Sequence, residues 1–214
     1  MIMIHEKMTV HKALAELKTL DDRINTAIGE SVFVRANRHN NTKIFGKTIE
    51  EFKADSAASL MSATALINRR NAMKRAVVLS NAVTKVEIGG VEYTVAEAIQ
   101  MNNHGMENLV DLRNCLREQY SSVKRMVESE NGDKLVKACE NYIQATFGTK
   151  EKINNPDIEM AQKVYMTNNT YDIVTGLDIE EVIKELTDRI DAFKAEVDSA
   201  LSVSNALTVI EFDY

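Results

Sequence analysis

Over most of the chain apolar residues return at steps of three and four, the rhythm of a helix with one buried stripe. From Thr9 onward Val10, Ala13, Leu14, Leu17, Leu20, Ile24, Ala27 and Ile28 predict a first helix, with Gly29 as its C-cap. Ser31–Arg35 is short and β-prone and reads as extended, followed by a polar, mildly basic loop, Ala36–Lys43, closed by Ile44-Phe45-Gly46. Thr48 and Glu51 form a capping box, in which each side chain satisfies an orphan backbone N–H at a helix start. The helix they open carries Ile49, Phe52, Leu60, Ala63 and Ile67 and runs to about Ser80, a rod of about 50 Å. Its small residues Ala57, Ala58, Ser59, Ser62 and Ala63 let a neighbouring helix approach closely.

The step changes to two at Val86, Ile88, Val91 and Tyr93, around Gly89-Gly90. This pair permits the positive φ angles of a two-residue turn, so residues 83–94 read as a hairpin. An isolated hairpin is marginal in water, which predicts pairing with a further β segment of this chain or of a second subunit. Thr94 and Glu97 make the next capping box, and Val95, Ile99, Met106, Leu109, Leu112, Leu116, Tyr120, Val123 and Val127 continue as a partner helix. Asn102 occupies a seam position on that stripe, where a polar residue sets register or oligomer state. Asn131-Gly132 breaks the helix, with Asp133 placed to cap the next. There Leu135, Val136, Cys139, Tyr142, Ile143 and Phe147 form a buried face that Gly148 ends. Thr149–Pro156 reads as a loop, Ile158–Met166 as a short helix and Thr170–Val174 as extended. Asp178 and Glu181 resemble another capping arrangement, ahead of a heptad-like stripe from Ile179 to Leu201, and Leu207–Phe212 alternates as a C-terminal strand. The expected fold is mainly α. Long antiparallel amphipathic helices, bundle- or coiled-coil-like, carry a small β-hairpin and a C-terminal strand in a single domain over residues 1–214. The hairpin protrudes or pairs between subunits.

Composition supports this picture. One proline and eight glycines among 214 residues leave little to interrupt helices. A net charge of -6, spread along the chain, speaks against a general nucleic-acid binder. No apolar run approaches a membrane span and the first residues lack the order of a secretion signal, so a cytoplasmic protein is expected. Cys115 and Cys139 fit two buried, reduced thiols on helices.

Three stretches carry a resemblance. Ala13–Ile24, Leu66–Ala72 with the hairpin and Tyr93–Ile99, and Val197–Thr208 are together similar to the septicolysin-like family of bacterial and phage-associated helical proteins. The resemblance covers about half of the chain and implies an oligomeric helical fold with a β element. It brings no catalytic residues.

Catalytic chemistry finds no foothold in the pattern. His5, His11, His39 and His104 are scattered and none has metal-ligand spacing with Cys, Asp or Glu. Nucleophile elbow, phosphate loop and dinucleotide fingerprint are all missing, so neither enzyme activity, nor a cofactor, nor a metal is expected. Acidic pairs such as Glu50-Glu51 and Glu180-Glu181 sit in first helical turns, where they complement the helix dipole.

The densest polar cluster is Asn68, Arg69, Arg70, Asn71, Lys74 and Arg75. Asn68 and Asn71 interrupt an apolar stripe and are candidates for buried hydrogen bonding, while guanidinium forks match phosphate or carboxylate oxygens. One reading is a solvated face with inter-helix hydrogen bonds. The other is a pocket for a small anionic, nucleotide-like ligand at an oligomer interface, formed by Asn68, Arg69, Arg70, Asn71 and Arg75. Because Arg69 and Arg70 are about 100° apart on a helix, only one or two arginines should touch ligand while the others pair with acidic residues. Arg35, Arg38 and His39 form a second, weaker basic group in the loop. The expected function is a non-enzymatic homo-oligomer, phage-encoded on the resemblance, that captures such a ligand, for instance a host immune signal. The competing expectation is a scaffold or interaction protein with no small-molecule ligand.

Overall fold

The computed structural model of the protein describes residues 3–148 and 155–214. It is mainly α, with small antiparallel strand pairs, as the apolar rhythm requires. Its residues group into two compact units, Met1–His104 with Ala192–Tyr214, and Gly105–Asp191.

The first unit is tied together by the chain's two ends. Strand β1 (His5–Thr9) runs antiparallel to β6 (Val209–Asp213), from His5 opposite Asp213 to Thr9 opposite Val209. The expected C-terminal strand is present; its N-terminal mate is a strand the apolar pattern did not announce. Thr9 ends β1 and caps helix α1 (Val10–Gly29), its hydroxyl accepting from the Lys12 N–H at 3.3 Å. Helix α2 (Ile49–Val83) packs antiparallel to α1, so that Ala27 shares a hollow with Ser59 and Ser62 while Leu14 shares another with Lys74. Met8, Val10, Ala13, Leu20, Met73, Val77, Ile210 and Phe212 close the core between helices and sheet.

Helix α2 begins on the expected Thr48–Glu51 capping box and continues past Ser80, because nothing in Asn81-Ala82-Val83 stops it before the extended Thr84. Ahead of it lies a small hairpin, β2 (Lys43–Ile44) and β3 (Lys47–Thr48), where the sequence reads as loop. Its turn holds Phe45 at φ 50° and Gly46 at φ 79°. A phenylalanine in left-handed backbone costs about 1 kcal/mol or more, so the dipeptide gives no turn signal of the Asn-Gly kind. Ser31–Arg35, read as extended, lies outside any strand.

The second hairpin, β4 (Lys85–Ile88) and β5 (Val91–Thr94), turns at Gly89 and Gly90 with φ 58° and 74°. Among the described residues of its own chain no further β segment joins it: the pair forms a two-stranded sheet. Helix α7 (Ile179–Leu207) takes that place instead. Glu196 Oε2 accepts from the Gly89 N–H at 2.7 Å, and Tyr93 meets Phe193 edge-on with ring centroids 5.7 Å apart. A Cβ on Gly89 would lie 3.2 Å from the Ala192 Cβ, so glycine here serves close approach as well as turn geometry. The Thr94–Glu97 capping box then opens α3 (Val95–Gln100).

A π-helical turn, Met101–Gly105, separates α3 from α4 (Met106–Ser129). Its extra residue shifts the phase of the stripe, burying Ala98 on one side and Met106 on the other. Asn102 is thereby exposed rather than set in a seam, which corrects the register role expected of it.

In the second unit, Gly132 kinks the chain between α4 and α5 (Leu135–Phe147) with ψ near -136°. Asp133 does not cap α5; Lys134 occupies that position without a side-chain bond. Gly148 ends the helix in left-handed backbone at φ 73°. Residues 149–154 of the expected loop lie outside the described residues. Helix α6 (Pro156–Asn169) starts from Asn155, whose side chain accepts from the Asp157 N–H, and packs antiparallel to α5 around Cys139, Ile143 and Ile158. Tyr142 stacks on Tyr165 at 4.7 Å. Burial pushes the Cys139 thiol up, with Glu140 adding to it. Cys115, expected buried, is exposed. Thr170–Val174 forms no strand; the Asn131 amide instead donates to the Tyr171 carbonyl and accepts from its N–H, both at 2.8 Å, standing in for a strand partner. Asp178 caps α7 as expected, accepting from the Glu181 N–H at 3.1 Å.

Candidate functional site

The expected site lies on the C-terminal half of α2, and the structure sorts its residues by the face on which each falls. Arg69 points to the sheet. Its Nε and one Nη donate to Glu6 at 2.7 and 2.8 Å, and the same Nη reaches Glu16 on α1 at 2.5 Å. Only 17% of its side chain is exposed. The Glu6 bonds, reinforced by Glu16 and opposed by partial burial, raise the Arg69 pKa further. Glu6 is held below the ordinary carboxylate value, first by the Arg69 bond, against burial, and then by the Tyr214 hydroxyl, which donates to its Oε1 at 2.8 Å. Tyr214 is itself pushed up, first by burial and then by Glu6. One guanidinium, two carboxylates and a phenol thus close on each other at the junction of β1, α1, α2 and the C-terminus.

Arg70 faces α1, and its Nε and Nη donate to Asp21 at 3.0 and 3.4 Å, a half-exposed pair. The expectation that some of the arginines pair with acids describes these two.

Arg75 is different. It is exposed and, among the described residues, has no ion-pair partner. With Asn68, Asn71, Ala72, Asp213 and Tyr214 it lines an open hollow of about 260 Å³. Asn68 and Asn71 are exposed, not buried, so their amides are free to serve that hollow; only a long 3.5 Å contact from Arg70 reaches Asn71. The reason is the width of the core stripe, which at this level needs only Met73 and Val77 and leaves Asn68 and Asn71 on the far side of the helix. The hollow therefore offers a guanidinium, two amides and an aromatic ring. Asp213, which also lines it, bonds to His5 Nδ1 at 2.8 Å.

Arg35, Arg38 and His39 do not join this cluster. The Arg35 guanidinium lies over the Phe45 ring at 5.1 Å and lines a separate hollow against residues 49–60 of α2. Arg38 uses its carbonyl to accept from the Asn41 N–H, and His39 is exposed. The sequence reading missed Glu6, Glu16, Asp21 and Tyr214. Each is brought to the cluster by tertiary packing, which no local pattern announces.

No described helix is long and apolar enough to cross a membrane, and no cluster of His, Cys, Asp and Glu among the described residues could hold a metal ion. No known protein family, curated protein or solved structure matches the chain.

Proposed function

We propose that the protein is a non-enzymatic, oligomeric binding protein that takes up a small anionic, nucleotide-like ligand at Arg75, Asn68 and Asn71. The observation that carries this reading is Arg75, which has no ion-pair partner among the described residues and stands beside two exposed amides, while Arg69 and Arg70 are already neutralised by carboxylates. Guanidinium nitrogens neutralise phosphate, amides read a base or ribose edge with paired donors and acceptors, and Tyr214 offers a ring against which a base can lie. On the septicolysin-like resemblance, such a ligand would be a signalling nucleotide of a bacterial host, held in the cytoplasm without being altered. Calorimetric titration of mono-, di- and cyclic nucleotides tests this. Stoichiometric binding that Arg75→Ala weakens tenfold or more is expected. No binding by the wild type, or equal binding by the variant, overturns the reading.

A scaffold without a small ligand is the second reading. Its support is the exposed apolar surface of α2, where Leu60, Met61, Leu79 and Val83 face away from the core.

A further inference from the structure

Residues 33–37 and Ile44 of β2 wall off a hollow of about 410 Å³ against the first turns of α2. Small-molecule sites usually span about 300–1,000 Å³. Ile44 is buried there, and Phe33, Ile49 and Phe52 are half-buried. The Ser56 hydroxyl donates to the Phe33 carbonyl at 2.6 Å and fastens the wall segment to α2. The concave shape is therefore held by the chain's own bonds.

Two cations, Arg35 and Lys53, line this hollow, and no acid does. In a chain of net charge -6 that local sign runs against the whole. Glu51 is held in its capping box with Thr48, and Asp55 is paired with Lys47 at 2.5 Å. Neither Arg35 nor Lys53 has an ion-pair partner among the described residues. Arg35 is also placed by a strained neighbour. Phe45 is the one non-glycine residue with positive φ among the described residues, and its ring, 68% exposed, lies under the guanidinium at 5.1 Å. Strain of this kind persists only where the surroundings hold it, and it gathers at ligand sites. The ring supports one side of the guanidinium and leaves its N–H fork to meet oxygens.

We propose that this hollow binds a small amphiphilic monoanion, an acyl or aryl carboxylate. Its apolar body lies against Phe33, Ile49, Phe52 and Leu60, and its carboxylate is held by Arg35 and Lys53. A neutral ligand would leave both cations uncompensated, and a hydrophilic polyanion would gain nothing from the apolar walls. The proposal does not rest on the nucleotide reading, since this hollow shares no lining residue with the one beside Arg75.

Calorimetric titration of the full chain with decanoate is the test, with decanol as the neutral counterpart. One decanoate per chain is expected, with a dissociation constant below about 1 mM, and decanol should bind at least tenfold more weakly. Arg35→Gln with Lys53→Gln should weaken decanoate tenfold or more at unchanged melting temperature. Phe45→Gly relieves the left-handed strain, so it should melt no lower than the wild type and yet bind decanoate at least threefold more weakly. No decanoate binding by the wild type, equal binding of decanol, or a double variant that binds as the wild type does overturns the proposal. So does a chain that ignores free decanoate but sediments with phosphatidylglycerol vesicles, which would make the hollow a membrane contact. Arg75→Ala should bind decanoate unchanged, so failure of the nucleotide reading leaves this result untouched.

Discussion

Arg69 and Arg75 sit six residues apart on one helix, about 120° apart around its axis, and meet opposite fates. Arg69 closes a network with Glu6, Glu16 and, through Glu6, Tyr214, which joins β1 and the residue after β6 to α1 and α2. Arg75 faces outward with two amides and no carboxylate partner among the described residues. The difference shows that residue type alone does not make a binding site. An arginine whose donors are already filled by the fold is architecture, and one whose donors are left open is available.

The largest expected effect comes from breaking the committed side. Arg69→Ala leaves two carboxylates facing each other at a partly buried junction and should cost about 2–3 kcal/mol, read as a lower denaturant midpoint. Acid sharpens the same point. Because Glu6 is held below its ordinary value, its contribution is complete above the unfolded carboxylate value and is lost as pH falls through the lower folded one. Stability should therefore decline below about pH 4.5, and Glu6→Gln should decline less steeply there while starting lower. Arg70→Ala, at a half-exposed pair with Asp21, should cost about 0.5 kcal/mol, and salt should erase most of it. Arg75→Ala should change stability by less than about 0.5 kcal/mol, since the fold asks nothing of its charge.

The sequence was legible where structure is decided by neighbours in the chain. The Thr48–Glu51 and Thr94–Glu97 boxes, the Gly89-Gly90 turn and the Gly148 stop each depend on residues within a turn of one another. Strand β1 was not legible, because His5–Thr9 becomes a strand only through pairing with Val209–Asp213 at the other end of the chain. The π-helical turn at Met101–Gly105 carries no proline, and its Gly105 sits inside a stripe whose apolar rhythm runs on through it, so the phase shift that moved Asn102 off the expected seam was not announced. Phe45-Gly46 hid a hairpin, because only one of its two left-handed residues is glycine. Of the candidate site, the cluster on α2 was visible as a polar interruption. Its division was not, because Glu6, Glu16 and Asp21 are brought to it by tertiary packing.

Thermal melting of Arg69→Ala and Arg75→Ala side by side tests the central claim most directly. A gap of 2–3 kcal/mol corresponds to a drop of about 5–10 °C for Arg69→Ala, while Arg75→Ala should melt within about 2 °C of the wild type. Equal drops in the two variants, or a larger one for Arg75→Ala, would show that the outer face of α2 is committed to the fold and would contradict the account.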